Sequence, residues 1–424
     1  MKKRAYTFRD IQTIAALVAL SIILTAGLVT FNWWFARQFG TGAEFLPVWN
    51  GARDGWRALL FQPVDPYGQA VTLQTQLAVY GRGAQAGEYP YALDIPFPLL
   101  MLYFPLALIP DPVWARAVWM FLSEIGLILL VLLATRLTDW MPKAWFQFVL
   151  FVFALASFYS VTALQSGSFS IVLVLVLVGA LVFLREFEDE VAGMLLALAA
   201  VKWEQTLLLW LFIVVGVYVA RRWRVFAGIA MVWIVLGGLS FLLYPGWVWP
   251  YLRAVVANLS AGENLTPVRF LVVWFPAYGM LIGRGLTVFL ALLLVFEWVG
   301  SFRSASFTRV AWTAALTLAV TPLIGLPTTM SSLAPLVFSF AVILPFAWER
   351  WEKRPYLVLI IFCLVFFAYP YLLHWQWPTQ FFLVEALTYL LLPVLLILGL
   401  YWVRWYVVRP PRTWADAVRR ELRK

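Results

Sequence analysis

GAEFLPVWNGARDGWRALLFQPVDPYGQAVTLQTQLAVYGRGAQAGEYPYALDIPFPLLMLYFPLALIP, residues 42–110, follows the first long apolar run and is neither a clean membrane span nor a polar linker. Phe45, Trp49, Ala52, Trp56 and Leu59 recur at helical spacing, with Asn50, Arg53, Asp54 and Arg57 on the other side. This spacing predicts an amphipathic helix lying along a membrane surface. Asp65-Pro66-Tyr67-Gly68 is a turn, and Ala70, Leu73, Leu77 and Tyr80 predict a second surface helix after it. Pro96, Pro98 and Pro105 then interrupt an apolar segment, where each proline removes a backbone donor. An acid just past a membrane exit, followed by two interfacial helices, suits an enzyme acting on a lipid-borne substrate better than a transporter.

The rest of the chain places this stretch in a membrane. Of 424 residues 63% are hydrophobic and 12% charged, and the mean hydropathy is +0.86. An ordinary soluble domain carries about 25% charged residues. Runs close to the roughly 20 apolar residues that cross a bilayer recur at 11–33, 114–134, 145–163, 169–184, 191–220, 226–244, 277–299, 310–324, 333–347, 356–373 and 381–403. The predicted fold is an all-α polytopic membrane protein of roughly 11–13 transmembrane helices. The first loop, 34–92, would be extracytoplasmic and carry the interfacial helices.

Charge gives the orientation. The net charge of +10 fits lysines and arginines in cytoplasmic loops and needs no nucleic acid. Arg303, Arg309, Arg350, Lys353, Arg354 and the tail from Arg404 all want the cytoplasm. Arg221, Arg222 and Arg224 join them only if 191–220 is a hairpin of two short segments turning near Lys202. By the same count, either 93–110 or 114–134 is re-entrant or incomplete, and the prolines favour the first. The 24 Trp and 17 Tyr suit interfacial belts. The single cysteine, Cys363, excludes an internal disulfide and a cysteine-cluster metal site.

Several polar residues are candidates for chemistry. Glu44 stands where a carboxylate could take a proton from an attacking hydroxyl, although an acid also suits the head of a helix. Asp94 stands at the entry to the proline-rich segment and could line the same cavity. Lys202 and Glu204 interrupt an apolar run, where a buried charge costs about 2.5–3.5 kcal/mol and is usually functional or paired. Near the outer face, Lys202 could bind a phosphate. Gln165 sits in a short polar linker between spans, and Arg269 in the outer loop could clamp a phosphate. Asn258-Leu-Ser and Asn264-Leu-Thr match a glycosylation acceptor pattern that is common by chance. His374, beside Trp375 and Trp377, suits either a sugar pocket or an aromatic belt. No carboxylate pair demands a metal, so no cofactor is implied and a divalent ion is left open. Walker-type, dinucleotide-binding and zinc-protease motifs are missing, which removes the usual nucleotide-sugar site.

The order of these pieces resembles the integral-membrane GT-C glycosyltransferases, and most closely the polyprenyl-phosphate-mannose-dependent mannosyltransferases of glycosyltransferase family 87. Glu44-Phe45, Trp49 with Gly51-Ala52, Asp65-Pro66-Tyr67, Pro96 to Leu99 and Pro105-Leu106-Ala107-Leu108-Ile109-Pro110 carry the likeness. Leu164-Gln165, the run from Gly193 to Lys202 with the basic loop after it, and Asn264-Leu265-Thr266 continue it through about residue 300. The resemblance implies a module over 1–300, additional helices over 301–403 and a basic cytoplasmic tail over 404–424. It implies an inverting transfer of a sugar, such as mannose, from a polyprenyl-phosphate donor to an extracytoplasmic lipid or glycan acceptor. Glu44 would be the general base, Lys202 a phosphate contact, and Tyr67, Asp94, Gln165, Arg269 and His374 pocket residues. The membrane would be a bacterial or archaeal plasma membrane with the site facing outside. Departures are Glu44 in place of the family's Asp, Asp94-Ile95-Pro96 in place of Tyr-Pro-Pro, and Lys202-Trp203 in place of Lys-Pro. They leave the sugar and acceptor open. The rival readings are a transporter or flippase of lipid-linked saccharides and a non-catalytic scaffold for envelope assembly.

Overall fold

The computed structural model describes residues 8–39, 42–59, 65–85, 88–201, 203–260, 265–304, 306–326, 329–350, 368–377 and 381–408, with 356, 360, 363 and 364. Lys202, the Glu204 side chain, Asn264, residues 357–359, 361–362 and 365–367 of the predicted span 356–373 and the tail beyond 408 lie outside them. The helices are α1 (Phe8–Gln38), α2 (Phe45–Leu59), α3 (Gln69–Tyr80), α4 (Phe97–Leu100), α5 (Phe104–Ala107), α6 (Pro112–Leu137), α7 (Ala144–Ala156), α8 (Phe158–Ser166), α9 (Ser170–Arg185) and α10 (Asp189–Leu198). They continue as α11 (Trp203–Val219), α12 (Trp223–Leu243), α13 (Val248–Ser260), α14 (Pro267–Trp274), α15 (Gly279–Phe302), α16 (Phe307–Val320), α17 (Val337–Arg350) and, in the last described part, α18 (Tyr369–Gln376) and α19 (Phe381–Val408). Short 3-10 turns lie at Met101–Tyr103, Ala199–Val201, Thr321–Leu323 and Met330–Leu336.

The chain is a multi-pass, all-α membrane protein. Among the described residues 6 helices are long and apolar enough to cross a bilayer, and the bent pair α7–α8 makes up to 7. The bend of 52° falls at Ser157, whose side chain accepts a hydrogen bond from the Ser160 backbone N–H and so starts a new helix. Shorter apolar helices at 170–185 and 206–219 fall within further predicted spans, and another lies at 97–107.

The two open questions of topology have answers. Residues 97–107 form short helical pieces rather than a span, because Pro98 and Pro105 fall at helix starts and divide the segment. The 26-residue helix α6 does the crossing, with Asp111 capping its first turn through the Val113 N–H. The run 191–220 is a hairpin. Trp210 on α11 donates to the Leu196 carbonyl on α10 (3.0 Å), and Arg222 beyond α11 reaches the Leu184 carbonyl (2.7 Å) and the Asp189 carboxylate. Gly193 and Gly228 let α10 and α12 touch backbone to backbone. A methyl group at Gly193 would lie 2.0 Å from the Val225 carbonyl oxygen, the close approach small residues permit in membrane packing.

Three ion pairs lie at one end of the bundle, Arg136–Glu186, Arg185–Asp139 at 2.7 Å and Arg222–Asp189, while Arg57–Asp54 at 3.0 Å on α2 and Arg82–Glu88 at 2.6 Å after α3 lie at the other. Arg404 on α19 and buried Glu297 on α15 join at 2.9 Å. Glu44, α2, α3 and the 93–107 segment occupy the opposite end, where α1 finishes and α6 begins.

Both surface helices form where predicted, and it is the apolar face of α2 that differs from the expectation. α2 turns Phe45, Val48, Trp49 and Ala52 into a protein core with Leu93, Ile95, Phe97, Leu100 and Phe104, rather than toward a membrane. The proline-divided segment cannot bury its own apolar residues in one helix, and α2 supplies the missing surface. α3 buries Val71 and Thr75 and leaves Leu73 and Leu77 facing away from the protein. The Thr75 hydroxyl accepts from the Asn50 amide on α2 (3.1 Å), which ties α3 to α2, and the outward leucines suit a helix lying on a membrane surface.

Candidate active site

Glu44 lies in the turn that joins α1 to α2. The Phe45 and Leu46 amides close this turn onto the Gly42 carbonyl, and the Glu44 amide donates to the Ser166 carbonyl at the end of α8 (3.0 Å). The carboxylate is held from a third direction. Ser331 donates its hydroxyl to Oε1, and Thr329, whose hydroxyl is 2.7 Å from that of Ser331 and 3.3 Å from Oε1, has one proton to give to either. Oε2 is buried and has no hydrogen-bond partner. Such an oxygen costs free energy until something donates to it.

The turn between α8 and α9 sits directly beneath. Gly167 ends α8 in the left-handed conformation (φ 73°), and its carbonyl accepts from the Trp119 indole (3.2 Å). A methyl group on Gly167 would lie 2.5 Å from the Phe45 Cβ, so the glycine is required on two counts. Ser168 and Ser170 hydroxyls pair at 3.1 Å, and Ser170 donates to the Ser331 carbonyl (3.3 Å), tying this turn to the strip that holds Glu44. Gln165 itself is exposed at this turn. Its backbone carbonyl takes a hydrogen bond from Arg116.

Arg116 is the residue that sequence reading missed, hidden near the start of an apolar span. It is 3% exposed, and its guanidinium also donates to the carbonyls of Ala36 (3.3 Å) and Phe39 (3.1 Å). One side chain thus fastens the end of α1 to the α8–α9 turn, fixing both sides of the Glu44 turn. The available signal was a lone cation within the first turns of a span, where no membrane-facing role needs one. Thr329 and Ser331 were also missed, although TTMSS at 328–332 is an unusual polar strip between apolar helices.

A second cluster brings Tyr67 and Asp94 together. The Tyr67 hydroxyl donates to the Ile95 carbonyl (2.7 Å), and its ring stacks on Tyr244 at 6.4 Å and meets Tyr251 edge-on at 6.5 Å. Tyr244 donates to Asp65 (2.9 Å), which also accepts from the Tyr67 amide (2.9 Å), so the predicted turn is docked against the ends of α12 and α13. Asp94 accepts from the Asn258 amide (3.0 Å), which also brackets the Ala92 backbone through its carbonyl (2.8 Å) and N–H (3.2 Å). Burial, then the neighbouring Tyr251, Tyr244, Asp65 and Asp94, hold the Tyr67 phenol well above its ordinary range. Burial and the Asp65 bond push Tyr244 up to about 12. Both phenols stay protonated donors at neutral pH. Asn258, read as a glycosylation match, is 5% exposed and committed to these bonds.

The α2 helix connects the two clusters, its Trp49 indole donating to the Leu106 carbonyl (3.3 Å). Arg269 and His374 stand apart. Arg269 is exposed on α14 near Glu385. His374 is exposed on α18, with Nδ1 at 2.8 Å from the Pro370 carbonyl and its ring 4.7 Å from Phe158. Among the described residues no three His, Cys, Asp or Glu side chains are grouped to hold a metal ion.

The family model described as "Glycosyltransferase family 87" matches residues 96–324, more than half of the chain. The matched stretch contains Gln165, Lys202, Arg269 and Arg116. It begins after Glu44 and stops before Thr329 and Ser331. No curated protein and no solved structure matches the chain.

Proposed function

We propose a reaction for this chain, which belongs to glycosyltransferase family 87: an inverting transfer of a sugar from a polyprenyl-phosphate donor to a hydroxyl of a lipid or glycan acceptor. The sugar is mannose or another hexose or pentose, and Glu44 is the general base. The observation that carries this reading is the Glu44 carboxylate at a membrane exit, with one oxygen held by two hydroxyls and the other buried and unpartnered. That is the arrangement a base needs when it must accept one proton from one direction.

In the proposed step the acceptor hydroxyl donates to Oε2 and loses its proton there as its oxygen attacks the anomeric carbon. The bond from that carbon to the phosphate oxygen breaks on the opposite face, and the electron pair leaves with the polyprenyl phosphate. A cation beside the phosphate would stabilise the charge it gains. Lys202, which the sequence places between α10 and α11, is the residue proposed for that contact, with Tyr67, Asp94, Gln165, Arg269 and His374 as proposed pocket residues. The leaving phosphate belongs to the lipid, so no nucleotide enters the reaction. The arginines gathered at the end opposite Glu44 favour a cytoplasmic position for that end. The site then opens outward from a bacterial or archaeal plasma membrane, where envelope glycolipids and glycans are assembled.

The donor class is tested with purified protein in lipid vesicles, offered labelled polyprenyl-phosphate-mannose or the corresponding nucleotide sugar, with membrane glycolipid acceptors. Transfer from the lipid-linked donor alone is expected. Transfer from the nucleotide sugar alone would overturn the reading.

A further inference from the structure

Glu44 belongs to the α1–α2 turn, but both groups that hold its side chain come from residues 329–331, beyond the stretch that the family model matches. The strip is itself well fixed. Ser331 is buried, Thr329 and Ser331 hydroxyls share a hydrogen bond at 2.7 Å, Ser332 donates to the Thr329 carbonyl (2.7 Å), and Ser170 anchors the Ser331 carbonyl. The pair acts on Oε1 alone, Ser331 donating to it and Thr329 lying against both that oxygen and the Ser331 hydroxyl. A glutamate has three side-chain torsions, and its terminal torsion is broad, so an unheld carboxylate would sample many orientations.

We infer that Thr329 and Ser331 are positioning residues for the transfer, fixing Oε1 so that Oε2 alone is presented to the acceptor hydroxyl. This rests on the reading of Glu44 as the general base. It also accounts for glutamate where the resembled family has aspartate: the longer side chain spans the gap to a strip contributed from the other end of the sequence. Other groups packed on the turn do not compete for the carboxylate. α6 contributes Arg116, which is engaged by the carbonyls of Ala36, Phe39 and Gln165. Arg37 at the end of α1 lies over the Trp33 ring at 5.5 Å, and residues 165–170 and 329–332 carry no ionisable side chain.

The test compares Ser331→Ala, Thr329→Val and the double variant with Ser331→Thr, which keeps a hydroxyl, and with Glu44→Gln. Loss of orientation by about 1 Å lowers rate by up to about 100-fold. The double variant is therefore expected to lose about 10- to 100-fold in kcat, with donor and acceptor KM within about twofold. Ser331→Thr is expected to retain most of the activity. In the Glu44→Gln background the same changes should cost little further, because residues acting through one another are not additive. Thr329→Val alone, nearly isosteric, keeps the test alive if the double variant does not fold. If Glu44→Gln is inactive while both Thr329→Val and Ser331→Ala keep kcat within about twofold, the positioning role is overturned and the base survives. If Glu44→Gln keeps full activity, the base falls and the positioning role with it.

Discussion

Replacing Gly167 by alanine puts the architecture of the site to a quantitative test. Gly167 adopts φ 73° at the end of α8, and its missing Cβ position lies 2.5 Å from the Phe45 Cβ. The left-handed conformation costs a residue with a Cβ roughly 1–2 kcal/mol. Overpacking a closed site adds about 1–3 kcal/mol. Together the substitution should destabilise by about 2–5 kcal/mol. Relief to an ordinary carbon–carbon separation requires Phe45 to retreat by about 1 Å, and Phe45 is the neighbour of Glu44, 1% exposed and stacked near Trp119. A displacement of that size at a reacting group costs up to about 100-fold in rate. Sugar transfer and thermal unfolding would be measured on the same detergent-solubilised sample. Gly167→Ala should lower kcat by at least about tenfold and lower the unfolding midpoint. Wild-type activity together with an unshifted midpoint would refute the placement of α2 on the α8–α9 turn.

Three further outcomes follow from the geometry. Arg116→Met leaves the Ala36, Phe39 and Gln165 carbonyls short of a donor, of which the bond to Ala36 is buried, so thermal stability should fall by about 1–3 kcal/mol, with Arg116→Lys intermediate; wild-type stability in Arg116→Met would contradict the clamp. Asn258→Ala should loosen residues 92–94 from α13 by about 1–3 kcal/mol, read as faster proteolysis there. In a glycosylating host, mass spectrometry should find wild-type Asn258 unmodified. Glu88 is lowered to about 2, first by its side-chain bond to Arg82 and then by the Gln85 amide. Its folded pKa is depressed, so its contribution is present above the ordinary glutamate range and disappears as pH falls through about 2. Hydrogen exchange at pH 3 should show the Gln85 amide protected in wild type and exposed in Glu88→Gln, and equal protection in both would count against the clip.

Much of the fold could be read from the sequence because membrane insertion writes itself as apolar length and cation placement. Arg221, Arg222 and Arg224 demanded the α10–α11 hairpin before any contact was known, and three prolines marked 93–110 as the segment that does not cross. The helix α2 was equally legible, but the direction of its apolar face was not. An amphipathic pattern records that a face is buried and says nothing of whether lipid or protein buries it. In α3 the same pattern is met as read, with Leu73 and Leu77 facing away from the protein. Glu44 stood out by its position after a span. Its partners did not, because Thr329 and Ser331 are close to it only after the whole bundle has closed. Arg116 was obscured for a related reason: its partners are backbone carbonyls, which leave no trace in the side-chain pattern.

The central claim is that Glu44 takes the acceptor proton during transfer from a polyprenyl-phosphate sugar. The direct measurement is the rate of labelled sugar transfer from that donor by wild type, Glu44→Gln and Glu44→Asp in lipid vesicles, at equal folded protein. Glu44→Gln should fall by about 100-fold or more, and Glu44→Asp should retain an intermediate rate, since it keeps the base but shortens its reach to Ser331. Equal rates in wild type and Glu44→Gln would contradict the account.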